Sequence, residues 1–381
     1  MVAPERPRYN GSMFSTIHDQ MCRAVSDRLF PGAVLAVCAS GKPVFFEAFG
    51  HAALLPDPTP MTRETLFDLA SLTKPLVTTT LVMILVAEGR LGLDTPVARY
   101  FRSWDSGDKA RITVRHLLTH TSGLPAWQPL YRMLDPALAP TTQDKDSILR
   151  AVAREPLVSE PGAISRYSDL GFMVLGSVVE AMTGTDLDHL STERIFKPLG
   201  LVSSFYLPIG SASTRERLAG RSVAATEDCP WRGRVLRGEV HDENAYAMGG
   251  VAGHAGLFAD ARDVSRLVMA WRDAQLGFDS FLPSNLVSEW VTRQTGLGDG
   301  GWALGWTVPT PPSTSGRHFS SRSFGHLGFT GTSIWVDPAA DLAVVLLTNR
   351  VHPTRTNDGL SQFRPVIHDL IYEAVVGGSA R

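Results

Sequence analysis

A serine and a lysine three residues apart, Ser71 and Lys74, stand at the head of the apolar run DLASLTKPLVTTTLVMILVAEG, residues 68–89. A serine hydroxyl at its ordinary pKa is a weak nucleophile and needs a base within hydrogen-bond reach. A lysine buried among apolar neighbours loses its charge and can be that base. The same two residues also make an ordinary helix start, with the serine as N-cap. A second S-x-x-K, Ser106 to Lys109 in SWDSGDKARI, lies among Asp105, Gly107 and Asp108 and reads as a solvated turn. Spacing alone therefore decides nothing. Pro75 adds context, because a residue without an N–H is tolerated in the first turn of a helix. That puts Ser71 and Lys74 on the opening turn, on one face by their i, i+3 spacing. Pro75 also disfavours a helical Lys74, so an irregular turn is expected. At that position the N–H of Ser71 is unpaired, at the positive end of the helix, and can form half of an oxyanion hole.

Other stretches carry polar residues of reactive type. SRYSDLGF places Tyr167 and Ser168 ahead of a helix, with Asp169 next. FGHLGFTGTSIWVDP puts His326-Leu327-Gly328 at the start of a strand, where a glycine lets a substrate strand come close to the backbone. EVHDENAYAMGGVAGHAGLF, Glu239 to Phe258, holds His241, Asp242, Glu243 and His254. Their spacing is not H-E-x-x-H and no cysteine joins them, so no metal and no cofactor are expected. The glycines of GGVAGHAG lack the Lys-Ser/Thr of a phosphate loop and read as a tight bend. His116 and His120, beside a helix end, are expected to interact with terminal carbonyls. No G-x-S-x-G elbow is present.

These residues need elements to hold them. Ala33–Ala39 and Pro43–Gly50 read as two strands joined by a Ser-Gly turn. Leu76–Glu88 is apolar on most sides, as in a buried helix. Thr113–Pro125 reads as a short helix stopped by Ser122-Gly123 and Pro125, and Trp127–Gln143 as loop. Ser168–Gly184 is a helix with serine or aspartate at its start and glycine just past its end. GWALGWTV, TGTSIWVDP and LAVVLLTNRV read as strands, the last two joined by a turn at Asp337–Asp341, and FRPVIHDLIYEAVV closes as a helix. Trp302 and Trp306 would alternate along the first of these strands, one toward the core and the other toward a cleft. Strands at both ends of the chain and helices between predict one antiparallel sheet flanked by helices. Residues 1–75 and 300–381 would form the sheet lobe, 76–299 a mostly helical lobe, with the site in the cleft between them.

The 381 residues are 44% hydrophobic and 19% charged, with a net charge of −2, so neither nucleic acid nor an anionic membrane is an expected partner. The longest apolar stretch, Leu76–Ala87, is short and threonine-rich for a membrane span. Cys22, Cys38 and Cys229 are odd in number and far apart, so they are expected to be reduced. The first twenty residues show no apolar signal region, which makes a cytoplasmic chain the expectation as it stands, or a periplasmic or extracellular one if a signal was removed. No oligomeric state is assigned.

In order and separation, Ser71-x-x-Lys74, Tyr167-Ser168-Asp169 and His326-Leu327-Gly328 resemble the three motifs of the serine β-lactamase and penicillin-binding protein family. The resemblance is to its class C β-lactamase, D,D-carboxypeptidase and esterase branch, and it runs through the N-terminal hairpin, LLTHTSGLP, YSDLGFMVLGSVVE, GHLGFTGTS and LLTNRV. It implies the β-lactamase/transpeptidase-like α/β fold and hydrolysis of an ester or amide through an acyl-enzyme, with no metal. Carried over, Ser71 resembles the nucleophile, Lys74 its activating partner, and Tyr167 the phenol that passes a proton to the leaving group and later activates water. The N–H of Phe329 resembles the second oxyanion donor, and His326 and Gly328 the ends of the third motif. Two positions depart from the pattern. Asp169 replaces an asparagine, which would raise the pKa of Lys74 and discourage a nearby substrate carboxylate. His326 replaces a lysine; a histidine titrates near ~6.5 unless its surroundings shift it, and in the lysine's role it would hold a substrate carboxylate. Glu239–Phe258 and Asp169 also resemble a cell-wall-recycling subgroup with amidases that cut between N-acetylmuramic acid and L-alanine. The implied substrate is a small molecule, a D-amino acid peptide or a muropeptide. Alternatives are a broad carboxylesterase, a weak β-lactamase and a penicillin-binding sensor without turnover.

Overall fold

Two strands joined at Ser40 and Gly41, both with positive φ (50° and 74°), make the tight hairpin that begins the sheet. They are β1 (Gly32–Ala39) and β2 (Lys42–Ala53); β3 (Thr59–Pro60) borders β2. The C-terminal part of the chain adds β4 (Phe324–Leu327), β5 (Ser333–Asp337) and β6 (Leu342–Thr348). The order is β3-β2-β1-β6-β5-β4, with neighbours antiparallel and Val34 opposite Leu347 where the two ends of the chain meet. The computed structural model describes residues 11–135, 138–278, 280–298 and 300–377. The first ten residues of the N-terminal stretch, and residues 136–137 of the loop after Trp127, lie outside them.

Every residue of β1 and β6 is buried, and strand alternation divides them between two cores. Ala33, Leu35, Val37, Val344 and Leu346 pack under the helices Gly11–Ser26 and Leu360–Val375. Val34, Ala36, Val345 and Leu347 face the larger core with the remaining helices. The helix Ala261–Gln275 falls in the stretch 76–299 but packs on β1 and β6 through Val264, Val268 and Trp271.

The apolar run after Ser71 is one helical rod in three windings: 3₁₀ over Ala70–Leu72, π over Lys74–Thr79 and α over Thr80–Ala87. By length and composition Ala70–Ala87 is apolar enough to cross a membrane, and 78% of it is buried inside the protein. It is the central helix of the larger core. A second buried helix, Asp169–Thr183, starts at Ser168, whose Oγ accepts the N–H of Gly171 at 3.1 Å. It ends at Gly184 with φ 70°. A Cβ on Gly253 would lie 2.3 Å from Phe172 O and 2.8 Å from Gly176 Cα, so the glycine-rich bend at 249–256 presses directly on this helix.

Three expectations are corrected. GWALGWTV is not a strand: it makes only isolated bridges, Trp302 to Thr307 and Thr307 to Gly325. Its Leu304 and Gly305 N–H groups donate instead to Trp290 O and Leu118 O, so the segment is tied to helices rather than to a sheet neighbour. Trp306 is nevertheless core, and Trp302 lines the cleft. His326 lies inside β4, near the strand's end rather than its start, and Gly328 follows it. The helix from Val114 stops at Leu118, before Ser122-Gly123, because His120 turns the chain with φ 56°.

Candidate active site

The Ser71 turn is held by a buried carboxylate. Asp68 Oδ1 accepts the N–H of Ala70 at 2.8 Å, and its Oδ2 accepts the N–H of His241 at 2.6 Å. Burial raises the pKa of Asp68, and the two N–H bonds oppose the rise. Ala70 itself has φ 46°, a conformation rare for a residue with a Cβ and typical of strained positions at reactive turns. From the other side, Thr330 Oγ1 donates to Asp68 O at 2.7 Å and Thr332 Oγ1 to Leu69 O at 3.1 Å. This docking corrects the reading of Gly328. A Cβ there would lie 2.0 Å from Thr332 Oγ1 and 2.5 Å from Leu69 O, so the glycine admits the protein's own backbone rather than a substrate strand.

Ser71 Oγ receives Lys74 Nζ at 2.8 Å and Tyr167 OH at 2.8 Å. Lys74 is fully buried, and its Nζ also reaches His254 O at 3.0 Å and Asp169 Oδ1 at 2.7 Å. Burial lowers the pKa of Lys74; Asp169, in contact, and Asp242, further off, pull it back up. Burial raises the Tyr167 phenol well above its usual value, and Asp169 raises it further. The two groups touching the hydroxyl are thus driven apart, one toward a neutral base and the other toward a phenol that keeps its proton. Ser106 caps an exposed 3₁₀ turn over Gly107–Arg111, away from this cluster.

His326 sits beside Tyr167, ring centroids 6.1 Å apart. Its Nδ1 is 2.8 Å from Leu327 O, a carbonyl that can only accept, so Nε2 carries the lone pair. Among the described residues that Nε2 has no partner. Burial, then the nearness of Lys74, lowers the pKa of His326 to about 3. Its surroundings therefore shift His326 away from titration near neutrality and leave it an uncharged hydrogen-bond acceptor in this structure.

His120 has a place that spacing did not reveal. Its ring lies 4.7 Å from Tyr167, 5.1 Å from Phe172 and 4.5 Å from Trp302, packing behind the phenol. Its Nδ1 accepts the N–H of Ser168 at 3.1 Å, and burial first, then Lys74 and His326, hold its pKa well below the usual value. His120 does not bind a helix-terminal carbonyl through its ring, whereas the His116 ring meets the backbone of Arg111, the last residue of the 3₁₀ turn Gly107–Arg111, as expected. His116 Nδ1 also accepts the N–H of Thr113, capping the start of its own helix.

The polar segment after Glu239 forms the opposite wall. Among the described residues no three His, Cys, Asp or Glu side chains gather as metal ligands. The four histidine and acidic residues part company. His241 meets Glu227 at 3.2 Å, and His254 Nε2 meets Asp242 Oδ1 at 2.9 Å. Glu243 pairs with Arg355 at 2.6 Å, and Glu227 grips the same guanidinium. Asp242 also caps Glu243–Ala247 through the N–H of Ala245 at 2.7 Å. Burial works against its charge, but His254 holds its carboxyl well below the usual range. Between wall and edge strand projects Phe329, 50% exposed, stacked on His241 at 5.6 Å with Arg350 4.9 Å from its ring.

The cleft has a volume of about 710 Å³ and is lined by Ser71, Tyr167, Asp169, His326, Gly328 and Phe329, with Trp127 and Trp302 as further aromatic walls. All seven expected site residues are at one place: six line the cleft and Lys74 lies beneath Ser71. Among the described residues the backbone N–H groups of Ser71 and Phe329 donate to no protein acceptor. That leaves two donors for a developing oxyanion.

A family model described as Beta-lactamase matches residues 18–364. The chain is 34% identical over 362 residues to an N-acetylmuramyl-L-alanine amidase of Bacillus subtilis (strain 168), covering 88% of this chain and 80% of the relative. It is 32% identical over 375 residues to a putative D-alanyl-D-alanine carboxypeptidase of Escherichia coli (strain K12), covering 92% and 85%. Among solved structures, EstCE1, a hydrolase with promiscuous acyltransferase activity, superposes with a TM-score of 0.73 at 26% identity, covering 95% of this chain and 98% of that one. An octameric penicillin-binding protein homologue from Pyrococcus abyssi shares the fold, with a TM-score of 0.71 at 21% identity, covering 96% and 77%.

Proposed function

The chain belongs to the Beta-lactamase family, and on that premise we propose that it cleaves the amide between N-acetylmuramic acid and L-alanine in a peptidoglycan-derived peptide. The protein is a serine hydrolase that acts through an acyl-enzyme on an ester or amide. In the proposed course, Ser71 Oγ attacks the carbonyl carbon while its proton passes to neutral Lys74, and the N–H groups of Ser71 and Phe329 receive the oxyanion. As the C–N bond breaks, Tyr167 gives its proton to the leaving nitrogen and takes that of Lys74 in return. The same pair then removes a proton from water for deacylation.

The observation that carries the substrate class is the charge beside Ser71. Asp169 stands 2.7 Å from Lys74, and His326, where the family pattern has a lysine, is neutral. A D,D-carboxypeptidase substrate ends in a carboxylate one residue beyond the scissile bond, and these two groups offer it no counter-charge. An amide inside a longer molecule suits them better, in keeping with the amidase relative. Ester hydrolysis is a second reading, favoured by the aromatic walls Trp127, Trp302 and Phe329 and by the likeness to EstCE1. Incubation with an N-acetylmuramyl peptide, a peptide ending in D-Ala-D-Ala and a short aryl ester separates the readings. The expected product is a peptide with a new L-alanine amino terminus. Release of free D-alanine, or turnover of the ester alone, would replace the amidase reading.

A further inference from the structure

Among the described residues three arginines are buried, and two of them are ion-paired. Arg232 meets Glu239 at 2.9 Å, and Arg272 Nε meets Asp341 at 2.6 Å. Arg364, 7% exposed in the helix Leu360–Val375, pairs with no carboxylate among the described residues. Its Nη2 donates to Thr332 O at 3.1 Å, and its Nε has no acceptor there. The charge that acts on it is another cation, Arg350, which donates to the carbonyls of Phe329, Arg355 and Asn357. Burial and Arg350 lower the pKa of Arg364 only to about 10, so it stays charged at neutral pH. A buried guanidinium without a counter-ion is costly, and interiors normally pair such charges.

Two more buried polar atoms nearby lack partners among the described residues: Trp335 Nε1 and Ser333 Oγ. Ser333 and Trp335 alternate with Ile334 and Val336, so they lie on the face of β5 that looks toward the C-terminal helix. Arg364 and Trp335 line the same cleft as Ser71. The guanidinium and the indole can only donate, and the hydroxyl can donate too. What fits them is an acceptor with negative charge, and a planar guanidinium favours a carboxylate.

We propose that Arg364, with Trp335 and Ser333, forms a subsite for a carboxylate of an acidic peptide, held on the face of β5 away from Ser71. The proposal rests on the peptide reading of the site and deepens it. His326, opposite Ile334, is on the inner face with Tyr167, whereas the subsite is on the outer face. The carboxylate it accepts is therefore set back along the leaving group, not adjacent to the scissile carbonyl.

The test compares the full chain on two amides with the same acyl part, one with a leaving dipeptide carrying a side-chain carboxylate and the other with its carboxamide. A neutral aryl ester reports acylation independently of either. The wild type is expected to favour the carboxylate amide in kcat/KM by at least about tenfold, the scale of a charge-assisted bond, and to lose that preference as salt rises. Arg364→Gln should abolish the preference, mainly through KM, and Arg364→Lys should restore part of it. Glutarate, used as the probe, should competitively inhibit ester turnover by the wild type and not by Arg364→Gln. Equal handling of the two amides by the wild type overturns the subsite, whatever the variants do to folding. Loss of the ester reaction in the wild type would instead remove the hydrolase reading beneath it.

Discussion

Two clusters of charge, one packed against Phe329 and the other at Ser71, are built from the same kinds of residue to opposite ends. On one side Glu227 meets Arg355 and His241, and Glu243 meets Arg355, so each charge has a close partner. Burial tends to raise the pKa of Glu227, yet His241 and Arg355 outweigh it and bring the carboxyl to about 2. On the other side Lys74 is buried against one carboxylate and two neutral groups, Ser71 and Tyr167, and its pKa falls. The turn carrying Ser71 is also strained at Ala70. The difference teaches how chemistry is separated from structure here. Full pairing freezes a charge and anchors the wall; incomplete pairing leaves a proton free to move.

The sharpest break of this contrast is at Ser71. Ser71→Ala is expected to lower kcat by at least about 10⁴-fold, the scale of losing a nucleophile, while leaving the melting temperature nearly unchanged. A fluorophosphonate should add its mass to the peptide containing Ser71 in the wild type only. Labelling at Ser106, or labelling that survives the substitution, would move the reactive cluster elsewhere. Next in size, Lys74→Ala and Tyr167→Phe should each lower kcat by at least about 10²-fold. EDTA should leave the wild-type rate unchanged, since Asp242 and His254 are occupied with each other, Glu243 with Arg355 and His241 with Glu227. Inhibition by chelator, reversed by zinc, would contradict that.

The paired cluster should answer in stability instead. A drop from 4.5 to about 2 in the Glu227 pKa corresponds to about 3 kcal/mol at neutral pH. Because the folded pKa is the lower one, this contribution is present above the unfolded value. It is lost as pH falls from about 4.5 toward 2. Glu227→Gln should therefore cost about 3 kcal/mol in urea unfolding at pH 7, with a smaller difference at pH 4 and a smaller effect on kcat than on stability. A variant as stable as the wild type at pH 7 would show the wall's pairing to be idle.

How much of this was legible beforehand follows from range. Local patterns carried far: the Ser40-Gly41 hairpin, the Ser168–Gly184 helix with its cap, and the opening-turn position of Ser71 and Lys74 are all set within a few residues. The three motifs read together with the family resemblance also named the residues that gather in the cleft. What stayed hidden depends on residues brought from afar. Asp68 gains its meaning from His241, and Lys74 from His254 O, 180 residues away. GWALGWTV has strand composition, but its N–H groups are claimed by Trp290 O and Leu118 O. The neutrality of His326 arises from burial and from Lys74, and Gly328 is explained by Leu69 and Thr332; neither cause is adjacent in sequence.

The smallest expected effect is the finest probe of the reactive side. Asp169 touches Lys74 directly and raises its pKa more than Asp242 does, which acts from a greater distance and is partly engaged by His254. Asparagine at either position removes the charge, and at 242 its side-chain oxygen can still cap Ala245. If neutral Lys74 is the base, activity falls at low pH as Lys74 gains a proton, so the acid limb of kcat/KM follows its pKa. Removing a neighbouring negative charge lowers that pKa. Both variants should then shift the acid limb to lower pH, Asp169→Asn further than Asp242→Asn. The shift should be the same with the neutral ester and with an amide, because the lysine is common to both reactions. A limb that moves upward, or stays in place in both variants while the rate falls, would mean that these carboxylates only shape the cleft. The proton would then leave Ser71 by way of Tyr167, and the contrast between the two clusters would lose its chemical meaning.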